Sequence, residues 1–255
     1  MSDFQVLRDI YKTKKHCIGI SASSIKNSTR DLQIWESKFG GIPYFPNGIE
    51  YPRNKEKKPL YLLAQINFID MPRLEFFPLD GILQFYIDDD ELYGVDFDSG
   101  GGEGFKVIYI PNIGIYDKQA DLSFVNKSPN EFPISCPHGL QFYNSNLPIP
   151  SDHPFFEQVY SPYVKNDKFE GEDFIDLYSL LIEGANNHQI GGYISFIQGE
   201  PEFMLNTSEE YILLLKIGYE EEVCFGDAGS AYFFITKQDL ENLDFSKVKY
   251  YWDCG

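Results

Sequence analysis

At 255 residues the chain has room for one large domain or two smaller ones. With 43% apolar and 16% aromatic residues it can bury a substantial core, which excludes a disordered polymer. Its net charge of −18 is uneven: residues 1–58 carry 11 Lys/Arg and 6 Asp/Glu, residues 59–255 carry 10 and 33. That field opposes nucleic-acid backbones and anionic membranes and favours a basic protein partner. In the plainest reading it keeps a cytoplasmic protein in solution.

Residues 2–13 read as a short helix, with Phe4, Leu7, Ile10 and Tyr11 at helical spacing. No signal-type apolar region follows, and no run approaches a membrane span, so a cytoplasmic, non-membrane protein is expected. Cys17–Ile20 is a short strand. Asp31–Lys38 is one or two helical turns leading into Gly40–Gly41, a pair suited to positive φ. Tyr44–Pro52 is extended, and Arg53–Lys58 is a basic loop. Leu60–Phe68 is the clearest strand, with Ala64, Ile66 and Phe68 inward and Gln65 and Asn67 outward. Gly81–Ile87 follows as its partner.

Asp88–Asp98 reads as an acidic turn and a strand edge, and residues 99–104 as a flexible loop. Phe105–Ile110 is another strand. Residues 111–150 are rich in Pro and Asn, with Gly139–Tyr143 a short echo of earlier strands and Asn146–Ser151 the best linker. Glu172–Ala185 is the strongest helix: Phe174, Leu177, Tyr178, Leu181 and Ile182 make one stripe, with acids at its start. A last strand, Gly229–Ile235, precedes a short helix at Lys237–Leu243.

An internal repeat organises these elements. Residues 39–68 align without gaps to 190–219, with identities at Gly40/Gly191, Gly41/Gly192, Phe45/Phe196, Gly48/Gly199, Leu62/Leu213, Leu63/Leu214 and Ile66/Ile217. Gly81–Ile87 corresponds to Gly229–Ile235. Strands that follow closely without helical crossovers pair antiparallel. The expected fold is α+β: mostly antiparallel sheets built from two pseudo-symmetric repeats, about 30–110 and 172–245, joined by 111–171, with helices on a face or edge. A single domain spanning 1–255 is expected, because the linker is short.

The runs SKFGGIPYFPNGIEYP, PLYLLAQINF and GILQFYI, and later HQIGGYISFIQGEP, YILLLKIG and FGDAGSAYFFITKQDL, occur in an order that resembles the YwqG-like bacterial family of unknown function. The resemblance covers roughly residues 30–245. It implies a small bacterial cytoplasmic protein and supplies no mechanism. Two positions depart from the family pattern: Ile194 stands where Pro is usual after the second Gly-Gly turn, and Lys216 replaces a glutamine whose first-half counterpart is Gln65.

No nucleophile–base signature, CxxC pair or phosphate-loop spacing occurs, so no catalytic residue and no cofactor is assigned. The four cysteines, Cys17, Cys136, Cys224 and Cys254, suit reduced thiols. None of the four histidines falls in a paired metal spacing. His16 and Cys17 are strand neighbours pointing to opposite faces. His188, Gln198 and Asp227 form the most plausible polar ligand-binding cluster, with Gln65 and Glu50 as further candidates. Each has a plainer role in satisfying turns and backbone groups. Asp88, Asp90 and Asp96 offer a weak alternative as hard-cation ligands, without EF-hand spacing. Strand aromatics such as Tyr44, Phe45, Tyr86, Tyr109 and Phe142 are read as core, since interleaved lysines are missing.

Two functional readings follow. The first is a non-catalytic acidic protein, of immunity or regulatory type, that binds a basic protein. The alternative is a small-molecule binder or an unrecognised enzyme with its site in the crease between the repeats.

Overall fold

The computed structural model describes residues 3–114, 118–125, 129–151, 153, 155, 156, 158, 178, 187–205 and 207–255. Among the described residues, ten strands form one sheet in which every neighbouring pair is antiparallel. In chain order the elements are α1 (Asp3–Tyr11), β1 (Lys15–Ser24), β2 (Lys38–Phe39), β3 (Tyr61–Asn67), β4 (Ile82–Ile87), β5 (Phe105–Ile110), β6 (His138–Leu147), β7 (His188–Gly191), α2 (Glu202–Leu205), β8 (Tyr211–Ile217), β9 (Ser230–Thr236), α3 (Lys237–Glu241) and β10 (Lys249–Asp253). The spatial order is β10-β9-β8-β7-β1-β6-β2-β3-β4-β5.

The long β1–β6 pair lies at the centre. Outward from β6 run β2, β3, β4 and β5; outward from β1 run β7, β8, β9 and β10. The sheet curls until its far ends meet, giving a nearly closed, barrel-like body. Tyr250 N–H donates to the Gly100 carbonyl at 2.9 Å and the Trp252 indole N–H to the Leu92 carbonyl at 2.8 Å. Inside, Phe85 lies 4.8 Å from Phe233, and Phe105 lies 5.4 Å from Tyr250. One buried cluster therefore joins Phe39, Leu63, Ile66 and Phe85 to Leu215, Ile217, Phe233 and Ile235.

Several expectations need correction. Gln65 and Asn67 do not face solvent; both are buried. The segment before β2 and the extended segment after it cover that face, where Phe45, Tyr51, Leu60, Leu62 and Tyr86 make a second small core. Residues 31–38 are not helical, because side chains take the carbonyls a helix would use. The Gln65 amide donates to Ile34 and Glu36, both at 2.9 Å, Asn67 to Trp35 at 3.1 Å, and Lys38 to Ile34 at 3.0 Å. Cys17–Ile20 is only the buried middle of a ten-residue strand that pairs with β6 along its whole length. The echo at Gly139–Tyr143 is part of β6, and Asn146 is ladder rather than linker, opposite His16. Asp88–Asp98 contains turns and no strand edge. The expected helix Glu172–Ala185 falls outside the described residues except for Tyr178. Among the described residues, no helix is long and apolar enough to cross a membrane.

Candidate functional site

At one end of the central pair, five chain segments converge. β1 ends at Ser24, which pairs with His138, the first residue of β6. Residues 133–136, just before β6, form a small ladder with 222–224. Ile134 bridges Val223, Ser135 N–H donates to the Glu222 carbonyl at 3.0 Å, and Cys224 N–H donates to Pro133 at 2.8 Å. This ladder sets the Cys136 side chain against that of Glu222. β7 begins nearby at His188, whose ring meets Phe39 edge-on at 5.0 Å.

Within this junction the Cys136 thiol donates to Glu222 Oε2 at 2.9 Å, and Ser24 Oγ lies 3.1 Å from Cys136 Sγ. His138 Nε2 stands 3.8 Å from the same Glu222 oxygen. The Lys26 ammonium pairs with Glu222 Oε1. Cys136 Sγ, a His138 ring nitrogen and a Glu222 oxygen all lie within 4.8 Å of one another. Among the described residues this is the one set of three or more His, Cys, Asp or Glu so grouped. Glu222 holds its position with φ of +71°, a left-handed conformation that costs a non-glycine residue energy and recurs at functional sites.

The electrostatics are those of a held carboxylate. Hydrogen bonds from Cys136, then Lys26 and Ser24, draw the Glu222 carboxyl down to about 2. Burial, then the bond to Glu222, pushes the Cys136 thiol up. A nucleophilic cysteine needs the opposite, a neighbour that favours thiolate. The arrangement therefore disfavours covalent chemistry at this thiol and suits capture of a positive charge.

His188 sits differently. Its Nδ1 accepts Gly218 N–H at 3.1 Å, so the proton is on Nε2, which donates to Glu220 at 2.8 Å. Burial lowers its protonation, against the pull of Glu220. Its ring nitrogens are both engaged.

The other residues singled out in the sequence lie elsewhere. Gln198 N–H donates to Asp253 Oδ2 at 2.9 Å and its amide to the Cys254 carbonyl at 2.7 Å. Asp227 is exposed on the Phe225–Gly229 turn, where its carbonyl accepts Gly255 N–H. No hydrogen bond joins His188, Gln198 and Asp227 to one another. Gln65 is fully engaged: Oε1 accepts from Tyr44 N–H and Gln84, both at 2.8 Å, while Nε2 donates twice. Glu50 is exposed in the loop before Tyr51. Asp88, Asp90 and Asp96 line one cleft of about 850 Å³. Asp88 there accepts from Asn54 of the basic loop, Asp90 from Leu92 and Gly94 N–H, and Asp96 from Asp98 N–H and Ser99, so Asp90 and Asp96 shape their own loop and Asp88 holds the basic one.

Cys136, His138, Glu220 and Glu222 were not among the sequence candidates. A local hint existed in the close spacing of Cys136 and His138, two apart at the start of β6, whereas Glu220 and Glu222 sit on a turn where alternation does not apply. Nothing local tied the two pairs together.

The sequence family described as a domain of unknown function, DUF1963, matches residues 37–254. The chain belongs to the DUF1963 family. No curated protein matches it. The DUF1963 region takes in Cys136, His138, His188, Glu220 and Glu222, while Ser24 and Lys26 come from the segment before it.

Proposed function

We propose that this DUF1963 protein is a non-catalytic binding protein whose site lies where β1 and β6, at the middle of the sheet, meet the loop after β8, and that the site captures a small cationic ligand. The observation that supports the reading most directly is Glu222, a carboxylate held ionised, faced by a thiol and an imidazole, and already paired with the ammonium of Lys26. A mostly apolar cavity of about 270 Å³ opens beside Cys136, lined by Ile134, Pro137, Leu62 and the first Gly-Gly turn.

The reading is tested by thermal unfolding of the whole chain against a panel of organic amines and divalent cations. A stabilising cation whose shift disappears in Glu222→Gln supports the site, since a ligand that binds only the folded chain raises its stability. Uniform silence, or a shift that survives Glu222→Gln, overturns it.

We also infer that the two halves are copies of one unit. Gly40, Gly41 and Gly48 have φ of +65°, +78° and +97°, and Gly191, Gly192 and Gly199 have +70°, +77° and +96°. Both β3–β4 and β8–β9 slip register at corresponding places, Leu62/Ala64 and Leu213/Leu215.

The interaction reading, a basic protein partner, draws support from the open cleft lined by Asp89, Asp90, Asp98 and Glu103. Salt-sensitive capture of a basic protein, weakened by charge reversal at Asp98 and Glu103, would support it; capture insensitive to salt would count against it.

A further inference from the structure

We propose that Cys136, His138 and Glu222 bind a transition-metal ion of the zinc class, with Lys26 as the internal cation that the metal displaces. This rests on the reading of the same cluster as a cation site and names its ligand.

The donor set decides the class. One thiol, one imidazole and one carboxylate are the mixed S, N and O ligands of zinc and its neighbours, whereas calcium and magnesium take oxygen donors alone. The spacing fits as well. Ligand atoms about 2.0–2.3 Å from a tetrahedral zinc stand roughly 3.5 Å apart. The Glu222 and His138 atoms are 3.8 Å apart, and the thiol–carboxylate contact of 2.9 Å needs to open only slightly once a metal replaces the shared proton.

An independent observation comes from the orientation of His138. This ring is 2% exposed, and its Nδ1 lies 2.8 Å from the Cys136 carbonyl. A carbonyl can only accept, so Nδ1 carries the proton and, in the neutral ring, Nε2 presents a lone pair. That lone pair faces the Glu222 carboxylate at 3.8 Å. The Glu222 oxygen already takes the Cys136 proton, so a cation placed between the two groups would meet the imidazole lone pair, the carboxylate and the sulfur together. A backbone carbonyl on the far nitrogen is also the usual way a metal-ligating histidine is held. Here the ligand cysteine itself supplies that carbonyl.

Binding then proceeds as an exchange. The Cys136 thiol releases one proton to solvent and its sulfur coordinates as thiolate. His138 coordinates through Nε2 and Glu222 through a carboxylate oxygen. The Lys26 ammonium leaves the carboxylate for water. Three protein ligands leave a further position open.

Titration of the full chain with Zn²⁺ alone, and separately with Co²⁺, tests the assignment. Calorimetry is expected to give one tight site with proton release, and Co²⁺ to give a thiolate charge-transfer band. Cys136→Ser should abolish that band, although Cys17, Cys224 and Cys254 remain, and should weaken Zn²⁺ by at least tenfold. His138→Gln should weaken Zn²⁺ in the same way. Lys26→Met, which removes the competitor from an exposed position, should tighten binding. Each variant's metal-free unfolding curve shows whether it folds. An absent band, or Zn²⁺ affinity unchanged in both Cys136→Ser and Lys26→Met, overturns the metal assignment. If an organic amine still stabilises the chain through Glu222, the cation site survives and only the metal fails.

Discussion

His188 and His138 are both buried, both begin a strand beside the centre of the sheet, and both look toward a glutamate on the loop after β8. Yet one is closed and the other open. His188 accepts from Gly218 and donates to Glu220, so each ring nitrogen has a hydrogen-bond partner. His138 donates from Nδ1 to the Cys136 carbonyl and turns its other nitrogen toward a carboxylate beyond hydrogen-bond length. A closed histidine contributes to stability; an open one is available to a ligand. Burial and residue type are the same in the two places, so the direction of the neighbouring donors makes the difference.

The largest effect should come from breaking the closed member. His188→Ala leaves the Gly218 N–H without its acceptor and removes a ring packed on Phe39. Together these should cost about 3 kcal/mol, from an orphaned donor and a cavity. Urea unfolding measures it. The same substitution should leave Zn²⁺ affinity within a few-fold of the parent once folding is restored by lower temperature. If His188→Ala instead abolishes metal binding with little loss of stability, the two histidines have been assigned the wrong way round.

A smaller effect reads the Glu222 carboxylate by pH. The Glu222 carboxyl is drawn from 4.5 down to about 2 in the folded chain. A depressed carboxylate binds fewer protons folded than unfolded, so its contribution is complete above 4.5 and is lost as pH falls toward 2. Denaturant unfolding across that range should show an acid-side decline that is shallower in Glu222→Gln. An equally steep decline in the variant would mean that Glu222 is not the group held ionised.

The sequence was legible where its pattern was local. Phe105–Ile110 is a strand as expected, and so is the partner strand after Gly81, because short apolar runs between turn residues leave little alternative. The positive φ of the paired glycines followed from residue type. What was not legible depended on distant groups. Gln65 and Asn67 alternate with apolar residues as if solvated, but carbonyls of residues 34–36 meet them across the sheet. The helix expected at 31–38 failed for the same reason. His188, outside the cluster, was a candidate because it precedes a Gly-Gly turn. His138 and Cys136 were passed over because their partner, Glu222, is 86 residues from Cys136 in the chain.

The smallest effect concerns the thiol itself. In the folded chain the Cys136 thiol is raised, first by burial and then by the bond to Glu222, so little thiolate exists near neutral pH. Glu222→Gln removes the negative charge and leaves an amide beside the sulfur. The thiol should ionise at lower pH and react severalfold faster with an alkylating reagent, in a chain whose Cys17 stays buried. Cys224 and Cys254 supply an internal control, since both are half-buried and make no hydrogen bond to Glu222. Their rates should not change. Zn²⁺ should act on the parent in the opposite direction, shielding Cys136 alone from the reagent as the sulfur enters the metal's coordination sphere. A protection pattern spread evenly over the half-buried cysteines would assign the metal to the surface, whereas protection confined to Cys136 ties the open histidine, the raised thiol and the held carboxylate to one ion.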